Sequence, residues 1–208
     1  MHYLFYGRDR SGAGATRKAL LRAHWDFMRP YIGAMVARGP TMAADGRAVT
    51  GSLHIVDLPD ADAAGVFAGD DPLARGDVFE DILVRRFRNL GGRTMWQFAG
   101  DATRSRFLFL GEARSAAAHG DAWPDAQCRY LAVAERAAQV IVWGSLLGDD
   151  GVTWAGTAML LETGDAAAAA ALLRGDPAAL GDAYDRTALH PWRFGGEENL
   201  QDLIAGGT

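Results

Sequence analysis

A chain of 208 residues, 49% hydrophobic with a formal net charge of −5, is long enough for two compact units of roughly 100 residues each. The acidic balance, with no basic stripe, argues against a nucleic-acid partner. Cys128 is the only cysteine, which excludes an intramolecular disulfide and any Cys-x-x-Cys site and makes the reducing cytoplasm the expected location. The start lacks a basic-then-apolar leader pattern and no apolar run reaches membrane-spanning length, so neither export nor a membrane partner is expected.

Apolar runs bounded by Gly, Pro and Asp predict a strand near 2–7, then a helix over 17–38. Leu20, His24, Phe27, Tyr31 and Met35 lie on one helical face, Thr16 is a candidate cap, and Pro30 should kink or break the helix. Strands come next near 40–44 and 50–57, then a helix from about Asp60 to Ala68, then a strand near 82–88. The order then recurs: strands near 106–110, 145–148, 153–162 and 187–192, helices near 125–143 and 165–174.

The recurrence is carried by residues at one offset of 105. Gly39 pairs with Gly144, Gly51-Ser52 with Gly156-Thr157, Asp71-Pro72 with Asp176-Pro177, and Phe79-Glu80 with Tyr184-Asp185. The sequence therefore reads as a tandem duplication. Residues 1–97 form one domain, 98–105 a linker, 106–194 a second domain, and 195–208 a tail with at most one helical turn, mobile or docked on a neighbour.

Each βαββαβ repeat predicts a ferredoxin-like antiparallel sheet with both helices on one face, giving an α+β fold. Tyr3-Leu4-Phe5-Tyr6 and Leu53-His54-Ile55-Val56 are apolar on both alternating faces, so the second face also needs a cover. Two repeats packed face to face within one chain satisfy this. The expected state is a monomeric pseudo-dimer or a homodimer.

Arg22-Ala-His24, Gly39-Pro40, Thr50-Gly51-Ser52, Asp71-Pro72 and Gly76-Asp-Val-Phe79-Glu80, in that order, resemble the YCII-related family over most of residues 2–90 and more weakly over 106–193. The chain departs from the family pattern at Arg75-Gly76-Asp77, where the family usually has Ala-Gly. The resemblance implies a dimeric α+β barrel with a His-Asp dyad in a pocket by the sheet, here His24 and Asp71. One group of relatives removes hydrogen chloride from a chlorinated, polyhydroxylated aromatic. A carboxylate on one imidazole nitrogen fixes the tautomer and raises the basicity of the other.

In the second repeat the fixed offset puts Arg129 opposite His24, so that site is expected to lack its base and to pair Arg129 with Asp176 or an anion. Ser52 and His54, two residues apart on one strand face, together with Arg22 and Arg129, are candidate substrate-binding residues. Ser52 lacks a nucleophile elbow and is expected to hydrogen-bond rather than attack. His24 on an apolar face also reads as a core histidine, and Asp71 before a proline as a helix-ending turn. His2 and His119 lack ligand-spaced partners, and Gly12-Ala-Gly14 lacks the dinucleotide and phosphate-loop patterns, so neither metal nor cofactor is expected.

The functional expectation is a cofactor-independent lyase or isomerase. It would move a proton on a small aromatic, enol or lactone-like metabolite by elimination, isomerisation or cyclisation, in a pocket between the first sheet and the second repeat. The alternatives are a non-catalytic ligand-binding or accessory protein and, by fold analogy, a cofactor-free oxygenase or polyketide cyclase.

Overall fold

The computed structural model describes residues 1–114, 122–200 and 203; His119 lies outside them. The chain falls into two compact units, Met1–Val84 with Trp192–Thr208, and Arg85–Pro191. The divisions thus fall at 84/85 and 191/192, where the sequence predicts a linker at 98–105 and a tail from 195.

The first unit contains β1 (His2–Asp9), α1 (Gly14–Met28), a 3-10 turn (Arg29–Ala34), β2 (Met35–Met42), β3 (Val49–Asp57), α2 (Ala61–Asp70), α3 (Pro72–Arg75) and the start of β4 (Phe79–Asn89). Its strand order is β2-β3-β1-β4, the ferredoxin-like arrangement. Pro30 does end the first helix, but the chain then makes a 3-10 turn and enters a strand eight residues long that begins at Met35. The predicted helix over 17–38 and strand over 40–44 are corrected accordingly. Every residue of β2 is buried, a pattern with no polar helical face, and pairing with β3 satisfies the backbone groups along one of its edges. Thr16 does not cap α1; Ala13 stands at that position and no side chain caps it.

The second unit contains β5 (Ser105–Ala113), α4 (Ala122–Leu131), α5 (Ala134–Ala137), β6 (Val140–Leu147), β7 (Trp154–Thr163), α6 (Ala166–Arg174), α7 (Pro177–Leu180) and β8 (Tyr184–Pro191). The strand order β6-β7-β5-β8 repeats the first unit's. The helix predicted over 125–143 also ends early, at Leu131; α5 follows, and Val140–Leu147 is a fully buried strand, which corrects the prediction. Arg86–Asn89, the end of β4, pairs with Gly144–Leu147 of β6.

Elements from β2 onward recur at the offset of 105: β2 with β6, α3 with α7, and the left-handed residues Asp77 (φ 56°) and Asp182 (φ 53°). Before β2 the offset shrinks. Gly7 lies opposite Ser52 while Gly111 lies opposite Thr157, an offset of 104 in the first strand. In the first helix the buried Leu21, His24 and Met28 correspond to the buried Pro124, Gln127 and Leu131, an offset of 103.

Tyr3, Phe5, Met28, Met35, Val56 and Phe67 form one core of the first unit, and Phe107, Phe109, Leu131, Val140, Met159, Leu161 and Leu172 that of the second. Each such side chain contributes roughly 1.5–3 kcal/mol on burial.

The tail is docked on the first unit. Arg193 N donates to Pro40 O at 3.1 Å and Gly195 N to Arg38 O at 3.0 Å, leading into a 3-10 turn over Glu197–Asn199. Gly39 (φ 158°) makes room for it, since a Cβ there would lie 2.0 Å from Arg193 O.

Candidate functional site

Asp71 is placed by its own dipeptide. A residue before proline is driven to extended backbone, here ψ 123°, and Pro72 opens α3, where its missing N–H costs nothing. Asp71 Oδ1 caps α3 by accepting from Leu73 N at 2.9 Å. The same oxygen lies 2.8 Å from His24 Nδ1. Both side chains are 7% exposed. Burial alone would raise the Asp71 pKa, but the hydrogen bond with His24, helped by the Leu73 N–H, outweighs it and holds the carboxyl below its usual range.

Arg17, Leu21, His24 and Met28 form the buried stripe of α1 that faces the sheet. Beneath it, cross-strand pairing sets Arg38 opposite His54 and Pro40 opposite Ser52. The His24 and His54 rings are 5.3 Å apart, centroid to centroid. Burial, then the neighbouring His24, lowers the His54 pKa to about 3, so it is neutral at physiological pH. Gly51 is required beside Ser52 because a Cβ would lie 2.5 Å from Gly7 O.

Arg17 is the residue that sequence reasoning missed. Its Nε donates to Asp9 Oδ2 at 2.6 Å and its Nη1 to Ser52 Oγ at 3.1 Å. Burial raises the Asp9 pKa against the effect of Arg17. The helical spacing 17, 21, 24, 28 carried this signal.

These side chains line a cavity of about 230 Å³ bounded by α1, β2, β3, the β2–β3 loop and the docked tail, with His24, Ser52, His54, Arg17 and Arg38 in its wall. Its described lining lies wholly within the first unit, whereas the sequence suggests a pocket against the second repeat. Arg22 is not in the lining. Its side chain is 70% exposed and lies 3.7 Å from Glu197, because it sits two residues from His24 and so on another face of the helix.

Arg129 is exposed as well and does not meet Asp176. Gln127 takes the position of His24, with Nε2 donating to Asp176 Oδ1 at 2.9 Å and Oδ2 at 3.0 Å. The expectation fails because it extends the offset of 105 into a helix where the offset is 103. Thr157, the counterpart of Ser52, donates to Gln127 Oε1 at 3.1 Å, and Tyr184 donates to Asp176 Oδ2 at 2.8 Å. Among the described residues no group of three or more His, Cys, Asp or Glu is placed to hold a metal ion.

The fold is that of the dimeric α+β barrels. Chlorite dismutase from Candidatus Nitrospira defluvii, 13% identical, aligns with a TM-score of 0.59 over 98% of this chain and 95% of its own. An anthrone oxidase-like protein, 10% identical, aligns at 0.55 over 94% and 91%. Residues 1–88 match the model of the YCII-related domain. The 5-chloro-2-hydroxyhydroquinone dehydrochlorinase of Burkholderia phenoliruptrix, in complex with 2,5-dihydroxybenzoquinone, is 28% identical over 42% of this chain and 94% of its own, with a TM-score of 0.41. Among curated proteins none matches the sequence.

Proposed function

We propose that the first unit is an enzyme that moves a proton on a small aromatic, enol or lactone-like metabolite, with His24 as general base. The observation that carries this reading is the buried His24 Nδ1–Asp71 Oδ1 contact of 2.8 Å in the wall of a cavity. With Nδ1 engaged by the carboxylate, Nε2 is the nitrogen left to take a proton, and the imidazolium that forms is stabilised by Asp71. His54, neutral and adjacent, supplies a hydrogen-bonding ring rather than a second charge. Ser52 Oγ, held by Arg17, offers a further polar contact to substrate. Elimination, with departure of a leaving group, isomerisation, with return of the proton at another atom, and cyclisation, with a new bond formed by the anion, can each begin with such a proton transfer.

The test is a thermal-shift and turnover screen of phenols, quinols, lactones and small carboxylates on wild type, His24→Ala and Asp71→Asn. A compound turned over by wild type should lose about 10²–10⁴-fold in kcat/KM in His24→Ala. Full turnover in both variants would overturn the assignment.

A further inference from the structure

We propose that the ligand of this cavity is an organic acid whose carboxylate is seated on Arg38 in exchange for Glu198; this deepens the function proposed above and rests on the same pocket. Arg17, Lys18, Arg38 and Arg47 line the cavity, and among the described residues no aspartate or glutamate does, although the chain as a whole carries a formal charge of −5.

The four cations differ in what holds them. Lys18 and Arg47 are exposed at the rim. Arg17 is committed to Asp9, a carboxylate as buried as itself, with side chains 7% and 8% exposed, and to Ser52. Arg38 is buried too, but its Nη2 donates at 2.9 Å to Glu198 Oε1, a carboxylate 57% exposed on the 3-10 turn of the tail. Water can solvate Glu198 when it leaves, and a carboxylate arriving through the cavity can take its place on the guanidinium. The planar fork of arginine suits that group.

Position then links the acid to the chemistry. Arg38 lies opposite His54 on the paired strand, and the His54 ring is 5.3 Å from that of His24. A carboxylate on Arg38 therefore directs the rest of a one-ring ligand along His54 toward the base. Glu198 is the internal stand-in for that carboxylate.

The test is calorimetric binding of matched pairs, 2-hydroxybenzoate with 2-hydroxybenzamide and 4-hydroxybenzoate with 4-hydroxybenzamide, to the full chain and to Glu198→Gln, Arg38→Gln and Arg38→Lys. In the wild type an acid should bind about tenfold or more tightly than its amide, the value of a charge-assisted contact. Glu198→Gln should tighten the acid several-fold and leave the amide alone. Arg38→Gln should bring the ratio to about one, while Arg38→Lys keeps part of it, which separates loss of charge from loss of fold. Equal binding of acid and amide, an unchanged ratio in Arg38→Gln, indifference to Glu198→Gln, or binding of neither member of either pair would each overturn the proposal. Acid binding that depends on Arg38, in a protein whose His24→Ala variant turns over like the wild type, would sink the proton-transfer reading alone. His24-dependent turnover with no preference for acids would sink this one alone.

Discussion

Asp71 and Asp176 both precede a proline, both cap a one-turn helix, and both are buried, yet one meets a histidine while the other meets a glutamine and a tyrosine. Burial pushes both carboxyls up. At Asp71 the His24 bond reverses the shift, whereas at Asp176 neutral donors only blunt it and the pKa stays raised. The buried, capping aspartate is thus a structural element common to the two units. What differs is a titratable partner and an adjoining cavity. In the second unit the amide and hydroxyls of Gln127, Tyr184 and Thr157 close the network on itself, and the 260 Å³ hollow lined by Phe109, Leu173, Arg174 and Leu189 includes none of them.

The sharpest way to break this comparison is His24→Gln, which gives the first unit the second unit's chemistry. A glutamine there can donate to Asp71 as Gln127 does to Asp176, so unfolding free energy in urea should change by no more than about 1 kcal/mol. Turnover of a substrate found in the screen should fall by about 10²–10⁴-fold. Retained turnover would mean that the difference between the units is not catalytic.

Asp176→Ala attacks the other side. It removes a helix cap and takes their buried carboxylate acceptor from the Tyr184 hydroxyl and the Gln127 amide, which keeps Tyr184 Oη as an acceptor. A cost of about 2–4 kcal/mol is expected in chemical denaturation, with activity of the first unit unchanged. A cost near zero would show that the closed network contributes no stability.

The contrast between the two aspartates also marks what sequence can reveal. The dyad is legible because each half is local: a histidine on an apolar helical stripe, and an Asp-Pro turn whose dihedral preferences place the carboxylate. Arg22 is a neighbour of His24 in the chain only, since two residues along a helix is about 200° of rotation, and the stripe through Arg17 is the better guide. Arg38 is hidden because Met35–Arg38 continues the apolar spacing of α1 past Pro30; read as helix, it has no strand partner in His54. Glu198 leaves no local signal at all, since its contact with Arg38 spans 160 residues. The Arg129 error comes from the repeat itself, whose offset is constant only where glycines and the Asp-Pro turn pin it.

His54 stands where the second unit has Met159, and the pair predicts a difference in acid sensitivity. Its folded pKa is about 3 against an ordinary 6.5, so between those values the unfolded chain binds a proton that the folded chain refuses. Stability therefore falls as pH drops through that window, by up to about 1.4 kcal/mol per pH unit from this residue. Asp71, with its lowered pKa, adds a loss below 3.8, while Asp9 and Asp176, raised, act in the opposite sense above it. Unfolding free energies measured between pH 7 and 5 should give a shallower slope for His54→Met than for wild type. Parallel curves would mean that His54 is protonated in the fold.

The smallest effect tests how tightly the second network is closed. Tyr184 corresponds to Phe79, and its hydroxyl is the one polar group added at that position. Burial, then the charge of Asp176, holds its pKa above the usual range, so it stays a donor to Asp176 Oδ2. In Tyr184→Phe both carboxylate oxygens keep Gln127 as donor, and the cost should be about 1 kcal/mol. Because the two side chains share one hydrogen bond, Asp176→Ala with Tyr184→Phe should cost less than the two changes added. Strict additivity in urea unfolding would show that they are held separately, and the network would then be no more than adjacent buried groups.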